Sequence, residues 1–341
     1  MKALMKTKEG PGNVSLVETK EPEVGLKDVK IRVAAAGICG TDIKILHNET
    51  WSNPPVILGH EFSGVVEEVG ANVTKVKPGD RVVSETGNII CGDCYYCNTG
   101  KQLMCPGRLS IGYGTNGAFA PYCVVRDAIV HKLPEEVSLD EGAVCEPAAV
   151  AVHAVYDKVK LLPTDLAVVM GPGPIGLLVA QAVKGFGCTV VLTGTDKDLA
   201  RLERGKELGA DHILDVTKVD LAEEIGKLTG GMGADVVYDC TGAPPAIRSG
   251  MSALKKTGNF VQVGLTRQTM EIEYALLTQR EINIIGTFGH NWQAWETTLK
   301  LVKEGKMDLG GLVTHHFALE DWEEAFALAE RQEGIKILLH P

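Results

Sequence analysis

The chain has 341 residues, of which 45% are hydrophobic and 23% charged, and its formal net charge at pH 7 is −10. This length predicts two domains, because one ordinary core rarely extends so far. The acidic balance argues against nucleic acid and anionic membranes as partners, although backbone dipoles can still hold a phosphate. The amino terminus lacks a signal-peptide pattern and no run of about 18 apolar residues occurs, so we predict a cytoplasmic protein that does not enter a membrane.

The first third of the chain has the character of a β-rich domain. Residues 29–35 and 64–69 carry the β-branched side chains typical of strands, and Gly and Pro mark frequent turns. Short strands between closely spaced turns predict a compact barrel or sandwich-like domain.

From residue 165 onward, apolar strand segments alternate with helical segments. Such alternation predicts βαβ units and a parallel sheet covered by helices on both faces. The predicted strands are 166–170, 189–193, 234–239, 259–264 and 282–287, and the predicted helices are 175–186, 199–208, 295–304 and 322–330.

A glycine-rich turn, GPGPIG at residues 171–176, joins the first of these strands to the first helix. This context supports a dinucleotide-binding interpretation of the G-x-G-x-x-G pattern. The first glycine permits the tight turn, the second lets the backbone approach a pyrophosphate, and the third lets the helix pack on the strand. The helix N-terminus then donates N–H groups to the phosphates. The predicted contacts are Gly171, Gly173, Pro174, Ile175 and Gly176.

Two counts along the sequence disagree about the residue that binds the adenosine ribose. Asp196 lies 20 residues after the last glycine of the turn, which is about the spacing expected for the carboxylate that selects NAD. Counted from the end of the second strand, Gly194 and Thr195 occupy that position, and Lys197 and Arg201 could bind the 2′-phosphate of NADP. The first count favours NAD, and the second leaves NADP open.

Four cysteines, Cys91, Cys94, Cys97 and Cys105, fall within a short glycine-rich segment. A closed set of four thiolates is typical of structural zinc, because no position remains for water or substrate. An iron–sulfur cluster and a redox pair are alternatives. Nine cysteines, an odd number without secretory context, argue against a disulfide framework.

Further donors are scattered. A catalytic zinc takes three protein ligands and keeps one open position. Cys39, His60 and either Glu61 or Glu146 could supply them, and spacing does not choose between the two carboxylates. Taken one at a time, each has an ordinary structural interpretation, as does the core thiol of Cys145.

Together these motifs resemble those of zinc-dependent medium-chain alcohol dehydrogenases, particularly the polyol (sorbitol or iditol) and threonine dehydrogenase branch. The resemblance spans essentially the whole chain, and the motifs follow the family order. They are Cys39-Gly40-Thr41-Asp42, the block GHEFSG at residues 59–64, the four-cysteine lobe, Glu146-Pro147 and the turn at 171–176.

The resemblance implies an α/β fold class, with a Rossmann doubly wound parallel sheet and a GroES-like β-rich catalytic domain. Residues 1–152 would form the catalytic domain, with the structural-zinc lobe at 91–105. Residues 153–289 would form the Rossmann domain, and residues 290–341 would return to the catalytic domain. It also implies a homo-oligomer, a dimer or tetramer, with a sheet-extending contact near residues 282–287.

The resemblance further implies two Zn²⁺ ions per subunit and a nicotinamide cofactor. Cys39, His60 and Glu61 would bind the catalytic zinc, with Glu146 a ligand directly or through water. The four cysteines of the lobe would bind the structural zinc. Thr41 would begin a proton relay, although Lys44 stands where many family members have its outer histidine and His47 is only a loose substitute. Further cofactor contacts would come from Thr241, Gly264 and Thr287.

The activity implied is hydride transfer between a nicotinamide cofactor and a small-molecule secondary alcohol, with a polyol oxidised to a ketose. One alternative is an amino-alcohol (L-threonine-like) dehydrogenase. Another, from a different class, is a non-catalytic zinc- and nucleotide-binding protein. The ligand set argues against the latter, since a protein without turnover has no need of an open metal site.

Overall fold

The computed structural model describes residues 1–266 and 268–341. The chain divides into two compact units. Unit 1 comprises Met1–Pro147, Asn291–Lys303 and Leu309–Pro341, and unit 2 comprises Ala148–His290 and Glu304–Asp308. The domain roles expected for residues 1–152, 153–289 and 290–341 remain predictions, because compactness does not show which part binds which molecule.

Sixteen strands and eleven α-helices occur within the described ranges. Among these helices, none combines the length and apolar character needed to cross a membrane. The strands are β1 (Lys2–Lys6), β2 (Val14–Glu18), β3 (Asp28–Gly37), β4 (Val56–Ile57), β5 (Glu61–Val69), β6 (Arg81–Ser84), β7 (Tyr122–Arg126), β8 (Val130–Lys132), β9 (Leu166–Met170), β10 (Thr189–Gly194), β11 (His212–Asp215), β12 (Ala234–Asp239), β13 (Leu254–Gln262), β14 (Asn283–Gly286), β15 (Val313–Ala318) and β16 (Lys336–His340). The helices are α1 (Gly40–Leu46), α2 (Tyr95–Asn98), α3 (Leu139–Gly142), α4 (Cys145–Tyr156), α5 (Pro174–Lys184), α6 (Leu199–Glu207), α7 (Leu221–Thr229), α8 (Pro244–Ala253), α9 (Ala275–Gln279), α10 (Trp292–Lys303) and α11 (Trp322–Glu330).

Unit 1 is built on a seven-stranded sheet in the order β15-β16-β3-β5-β6-β8, with β7 also paired to β3, and on a three-stranded sheet in the order β2-β1-β4. Its core includes Phe62, Phe119 and Phe326, all almost fully buried. The rings of Phe119 and Phe326 meet edge to face at 6.2 Å. The carboxyl-terminal residues therefore complete the core that the first residues begin.

Unit 2 contains a six-stranded sheet in the order β11-β10-β9-β12-β13-β14, and every pairing within it is parallel. Renumbered from β9, this is the 3-2-1-4-5-6 order of the Rossmann fold, in which ligands bind where the strand order reverses. All five residues of β9 are buried, as expected for the central strand of a sheet covered on both faces.

The predicted fold class, a Rossmann sheet with a separate β-rich domain, is confirmed. Two predicted strands, 166–170 and 234–239, and the helix 322–330 have the bounds predicted from the sequence. The strand predicted at 259–264 begins earlier, at Leu254. β11, α7 and α8 were not predicted. β11 is short and mostly half-buried, whereas α7 buries Leu221 and Ile225 on one face and begins after a capping aspartate, Asp220, so its signal was present in the sequence and was missed.

Candidate active site and metal centres

The four-cysteine lobe brings its thiols together around α2, a helix of four residues. Sγ of Cys91 lies 3.9 Å from that of Cys97 and 3.5 Å from that of Cys105, and Cys94 and Cys97 are 3.5 Å apart. The backbone N–H of Cys91 donates to Sγ of Cys105 at 3.3 Å. That hydrogen bond lowers the pKa of the Cys105 thiol to about 7, which favours the thiolate that binds a metal.

These separations fit one zinc ion. Four sulfurs at about 2.3 Å from a tetrahedral ion lie about 3.8 Å from one another, close to the distances within the lobe. A disulfide would need about 2.05 Å, and all nine cysteines are free. An iron–sulfur cluster, which holds several iron and sulfide ions between its thiolates, would need a wider cage. The donor set and its spacing therefore match a closed, structural zinc site.

A second donor group forms where β3 and β5 pair, in unit 1. Cys39 caps the amino end of α1 just after β3, and His60 immediately precedes Glu61, the first residue of β5. The register pairs Gly37 with Glu61. As a result, one ligand atom from each of Cys39, His60 and Glu61 lies within 4.8 Å of the others. This mixed sulfur, nitrogen and oxygen set, with three members, fits an open catalytic zinc site.

A buried carboxylate, that of Asp42, lies beside the histidine of this group, and the sequence did not predict it. Its side chain is fully buried, Oδ2 accepts the backbone N–H of Cys39 at 2.9 Å, and Oδ1 lies 3.8 Å from Nδ1 of His60. Burial lowers the pKa of His60, but the charges of Asp42 and Cys39 more than offset it, so that the pKa is raised well above its usual value. Neither Nδ1 of His60 nor Oδ1 of Asp42 has a hydrogen-bond partner among the described residues. A neutral His60 that donated Nδ1–H toward Asp42 would leave Nε2 for a metal, as in carboxylate–histidine–zinc arrangements.

Lys336 holds the carboxylate of this group and was also missed. Its ammonium donates to Oε2 of Glu61 at 2.5 Å and to the carbonyl of Ile38 at 3.2 Å, and both charged side chains are almost completely buried. Gly37 makes room for the pair, because a Cβ there would lie 2.5 Å from Oε2 of Glu61. The pKa of Lys336 is lowered by burial but raised overall by Glu61 and Cys39.

Three other residues singled out in the sequence lie outside the group of Cys39, His60 and Glu61. Glu146 is outside the compact donor group, yet its charge contributes to raising the pKa of His60 and of Lys336. Cys145 is a core thiol, because it is fully buried and its Sγ donates to the carbonyl of Glu141. This burial raises its pKa to about 12. His47 forms an exposed ion pair with Glu330.

The glycine-rich turn in unit 2 has the geometry that its sequence predicts. Gly171 has a φ of 92°, and a Cβ there would meet Thr241 at 2.7 Å. A Cβ on Gly176 would lie 1.8 Å from the carbonyl oxygen of Gly171, so only glycine allows α5 to begin so close to the strand. Gly173 caps α5 and has open space beside it. That space, next to the backbone N–H groups at the start of α5 beyond Pro174, fits a pyrophosphate.

β10 ends at Gly194, and the other candidate ribose contacts follow directly after this strand. Asp198 already has a local partner, since its carboxylate accepts hydrogen bonds from the backbone N–H of Thr195 at 2.9 Å and from the hydroxyl of Thr195 at 2.7 Å. Asp196 and Lys197 are exposed. Burial lowers the pKa of Arg201. Both an NAD-type carboxylate and NADP-type cations therefore lie just beyond the strand.

The remaining predicted cofactor residues follow three other strands of the same sheet. Thr241 is held by Asp239, whose Oδ1 accepts its N–H at 3.1 Å and its hydroxyl at 2.6 Å. A Cβ on Gly264 would meet the backbone nitrogen of Gly242 at 2.4 Å. Thr287 has a buried hydroxyl with no hydrogen-bond partner among the described residues, which is a polar atom that a bound cofactor could satisfy.

Family comparisons agree with this geometry. Residues 25–135 match the alcohol dehydrogenase GroES-like domain, and residues 174–304 match the zinc-binding dehydrogenase domain. The first range includes the donors Cys39, His60 and Glu61 as well as the cysteine lobe. The second begins within the glycine-rich turn.

Individual proteins match over the full chain. It is 42% identical to a sorbitol dehydrogenase of Halalkalibacterium halodurans, covering 100% of this chain and 99% of that protein. It is 41% identical to a D-arabitol-phosphate dehydrogenase of Enterococcus avium, covering 99% and 97%. A crystal structure from Sinorhizobium meliloti 1021, assigned as a zinc-binding dehydrogenase bound to NADP, superposes with a TM-score of 0.93 at 30% identity, covering 100% and 99%. The chain therefore belongs to the zinc-dependent medium-chain alcohol dehydrogenases, in their polyol and threonine dehydrogenase branch, and is a nicotinamide-dependent oxidoreductase.

Proposed function

We propose that this enzyme oxidises a secondary hydroxyl of a polyol, free or phosphorylated, to the corresponding ketose. The observation that carries the proposal is the group Cys39, His60 and Glu61, whose ligand atoms lie within 4.8 Å of one another. Three donors with an open fourth position suit a substrate hydroxyl. Relatives named for sorbitol and D-arabitol phosphate support a polyol substrate.

We propose two zinc ions per chain. The cysteine lobe would hold the structural ion, and Cys39, His60 and Glu61 the catalytic one. Glu146 would act through a water molecule rather than directly, because it lies outside the compact donor group. When bound, the catalytic zinc polarises the substrate oxygen and the nicotinamide exchanges the hydride.

The protein's own residues position and move the proton. Lys336 donates to one oxygen of Glu61, which fixes the direction of that carboxylate. Asp42, whose Oδ1 lies 3.8 Å from Nδ1 of His60, would orient the imidazole once a metal draws on Nε2. Thr41, two residues beyond Cys39, is proposed to accept the proton of the substrate hydroxyl and pass it outward. With His47 paired to Glu330, the outward step would go to solvent.

NAD is the proposed cofactor, bound through Asp196. Asp198 is occupied by Thr195, which leaves Asp196 as the exposed carboxylate just beyond β10 for the ribose hydroxyls. Asp196→Ser should raise KM for NAD by at least tenfold, with little change for NADP. If NADP is instead the faster cofactor of the wild type, the role passes to Lys197 and Arg201, and Lys197→Ala should raise KM for NADP.

The first experiment is the initial rate of reduced-nicotinamide formation with sorbitol, D-arabitol, their phosphates and L-threonine, each with NAD and with NADP. Highest kcat/KM with a polyol or its phosphate supports the proposal. Highest kcat/KM with L-threonine would replace it with the amino-alcohol alternative. No turnover of any substrate, in protein that holds zinc, would favour the non-catalytic alternative.

Two further expectations belong to this proposal. Nine free cysteines suit the reducing cytoplasm. A dimer or tetramer could form by sheet extension at β14, an edge strand whose Ile284 is exposed. Light scattering coupled to size exclusion tests this, and an Ile284→Lys variant should shift the mass toward the monomer. A monomeric wild type would exclude the assembly.

A further inference from the structure

Unit 1 carries a third group of metal-ligating side chains, outside both proposed zinc sites. His316 lies in β15, His340 is the last residue of β16, and Asp140 lies in α3. One ligand atom from each is within 4.8 Å of the others. Neither the family resemblance nor the proposed mechanism assigns this group a role.

The distances suit a single ion. Nδ1 of His316 lies 3.1 Å from Nε2 of His340 and 3.8 Å from Oδ2 of Asp140. Ligands at about 2.0–2.1 Å from a tetrahedral zinc lie about 3.3–3.4 Å from one another. The observed separations lie on either side of that value, so rotation of side chains alone can bring the three atoms into coordination.

The backbone already directs one of these histidines toward the group. Nδ1 of His340 is 2.9 Å from the carbonyl oxygen of Ala34, to which it donates its proton. Nε2 of His340 therefore carries the free lone pair, and it faces His316. Metal-binding histidines have this arrangement, with the second nitrogen donating to a carbonyl or carboxylate. The two rings lie nearly parallel, with centroids 5.3 Å apart and an interplanar angle of 20°.

We propose that Asp140, His316 and His340 bind a divalent transition-metal ion, with zinc the best match and water completing the coordination. Two imidazoles and one carboxylate suit zinc, nickel or copper, whereas magnesium and calcium prefer oxygen ligands. The His316 and Asp140 side chains are 51% and 44% exposed, so the ion enters from solvent. Without an ion, His316 donates Nδ1–H to His340; with one, that proton resides on Nε2 of His316 and Nδ1 binds the metal.

A bound ion would join three elements that are distant in the sequence. Asp140 lies in the short helix α3, whereas His316 and His340 belong to adjacent strands at one edge of the seven-stranded sheet. Because the unfolded chain does not hold these residues together, an ion bound only to the folded state raises the melting temperature.

The test starts from tag-free enzyme in which the two zinc sites proposed above are already filled. Additional Zn²⁺ is then titrated by calorimetry, and the bound metal is measured after dialysis. Wild type should take up one additional equivalent and melt at a higher temperature. His316→Ala and His340→Ala should each weaken that step by at least tenfold. His315→Ala is the matched control, because His315 contacts Thr314 and Phe317 instead of this group, and it should retain the additional ion.

A second measurement identifies the ligands directly. Cu²⁺ added to the zinc-filled enzyme should give an EPR spectrum with coupling to two imidazole nitrogens, reduced to one in His316→Ala. An additional ion that persists in the double variant His316→Ala/His340→Ala would overturn the proposal, as would a wild type that binds none. Because binding is read without substrate, failure here is distinct from failure of the polyol assignment.

Discussion

The cysteine lobe and the Cys39 group both gather metal ligands, but the chain builds them in opposite ways. The lobe takes Cys91, Cys94, Cys97 and Cys105 from one short segment, and hydrogen bonds within that segment position the sulfurs. The Cys39 group takes its donors from the ends of two paired strands, just after β3 and at the start of β5, and Lys336 from the far end of the chain holds one of them.

This difference follows from what each site must do. A structural ion needs only a closed set of donors, which a local loop can provide. A catalytic ion must keep one position open while its ligands stay fixed, and that requires residues behind the ligands. In the proposed catalytic site, Asp42 from α1 and Lys336 from β16 would supply this support.

The largest expected effect on turnover comes from His60→Ala. Loss of this donor should lower kcat/KM by about 10³-fold, because metal ions contribute several kcal/mol to such reactions and each factor of ten corresponds to about 1.4 kcal/mol. Cofactor affinity, measured by fluorescence of the reduced nicotinamide, should be retained. Cys145→Ala is the control, since that buried thiol is not a donor. Undiminished turnover in His60→Ala would remove His60 from the ligand set.

Lys336→Met should have the next largest effect. It leaves the buried carboxylate of Glu61 without its partner, and breaking a buried ion pair costs about 3–5 kcal/mol of folding free energy. Urea unfolding should reveal a greater loss in zinc-stripped than in zinc-loaded protein, because a bound ion compensates part of the charge. Lys336→Arg keeps the charge and should lose less. Equal losses with and without zinc would indicate that Glu61 does not face the metal.

Asp42→Asn tests the support behind the histidine. Asparagine can still accept the N–H of Cys39 but no longer places a negative charge near His60. Loss of such an outer contact typically lowers metal affinity or activity by about 10–100-fold. We therefore expect kcat/KM, and the retention of zinc in the presence of a chelator, each to decrease by about that factor. An unchanged zinc off-rate would mean that Asp42 serves only to cap α1.

Cys94→Ala should have the smallest effect on turnover per folded molecule and should act mainly on stability. The variant should lose one zinc per chain while the Cys39 group keeps its own. Because the entropy of unfolding grows with chain length, each kcal/mol lost from a chain of 341 residues lowers Tm by only about 1–2 °C. Metal analysis and thermal unfolding provide the measurements. Loss of both ions, or a Tm equal to that of the wild type, would contradict the separation of the two sites.

Much of the fold was predictable because local patterns report local structure. β9 is a continuous apolar run, and the interior of β12, residues 236–238, is also apolar. The turn after β9 requires glycine at positions 171 and 176 because a Cβ there would collide with neighbouring atoms. β11 was missed because its four residues are only partly buried and carry no apolar alternation. Asp42 had a usable signal, since it lies three residues after the helix-capping Cys39. Lys336 had a weaker sequence signal, because it is a single charged residue at the start of an otherwise mainly apolar strand.

The cysteine lobe, the glycine-rich turn and the family could all be recognised from the sequence alone, because in each case a few neighbouring residues specify the chemistry. Only the tertiary structure decided that Glu61, rather than Glu146, lies within the compact donor group. It also decided that Lys336 reaches Glu61, since β16 pairs with β3 at Gly37 and β3 pairs with β5 there as well. The physical reason is that strand register is set by the packing of a whole sheet, which spacing along the chain does not record.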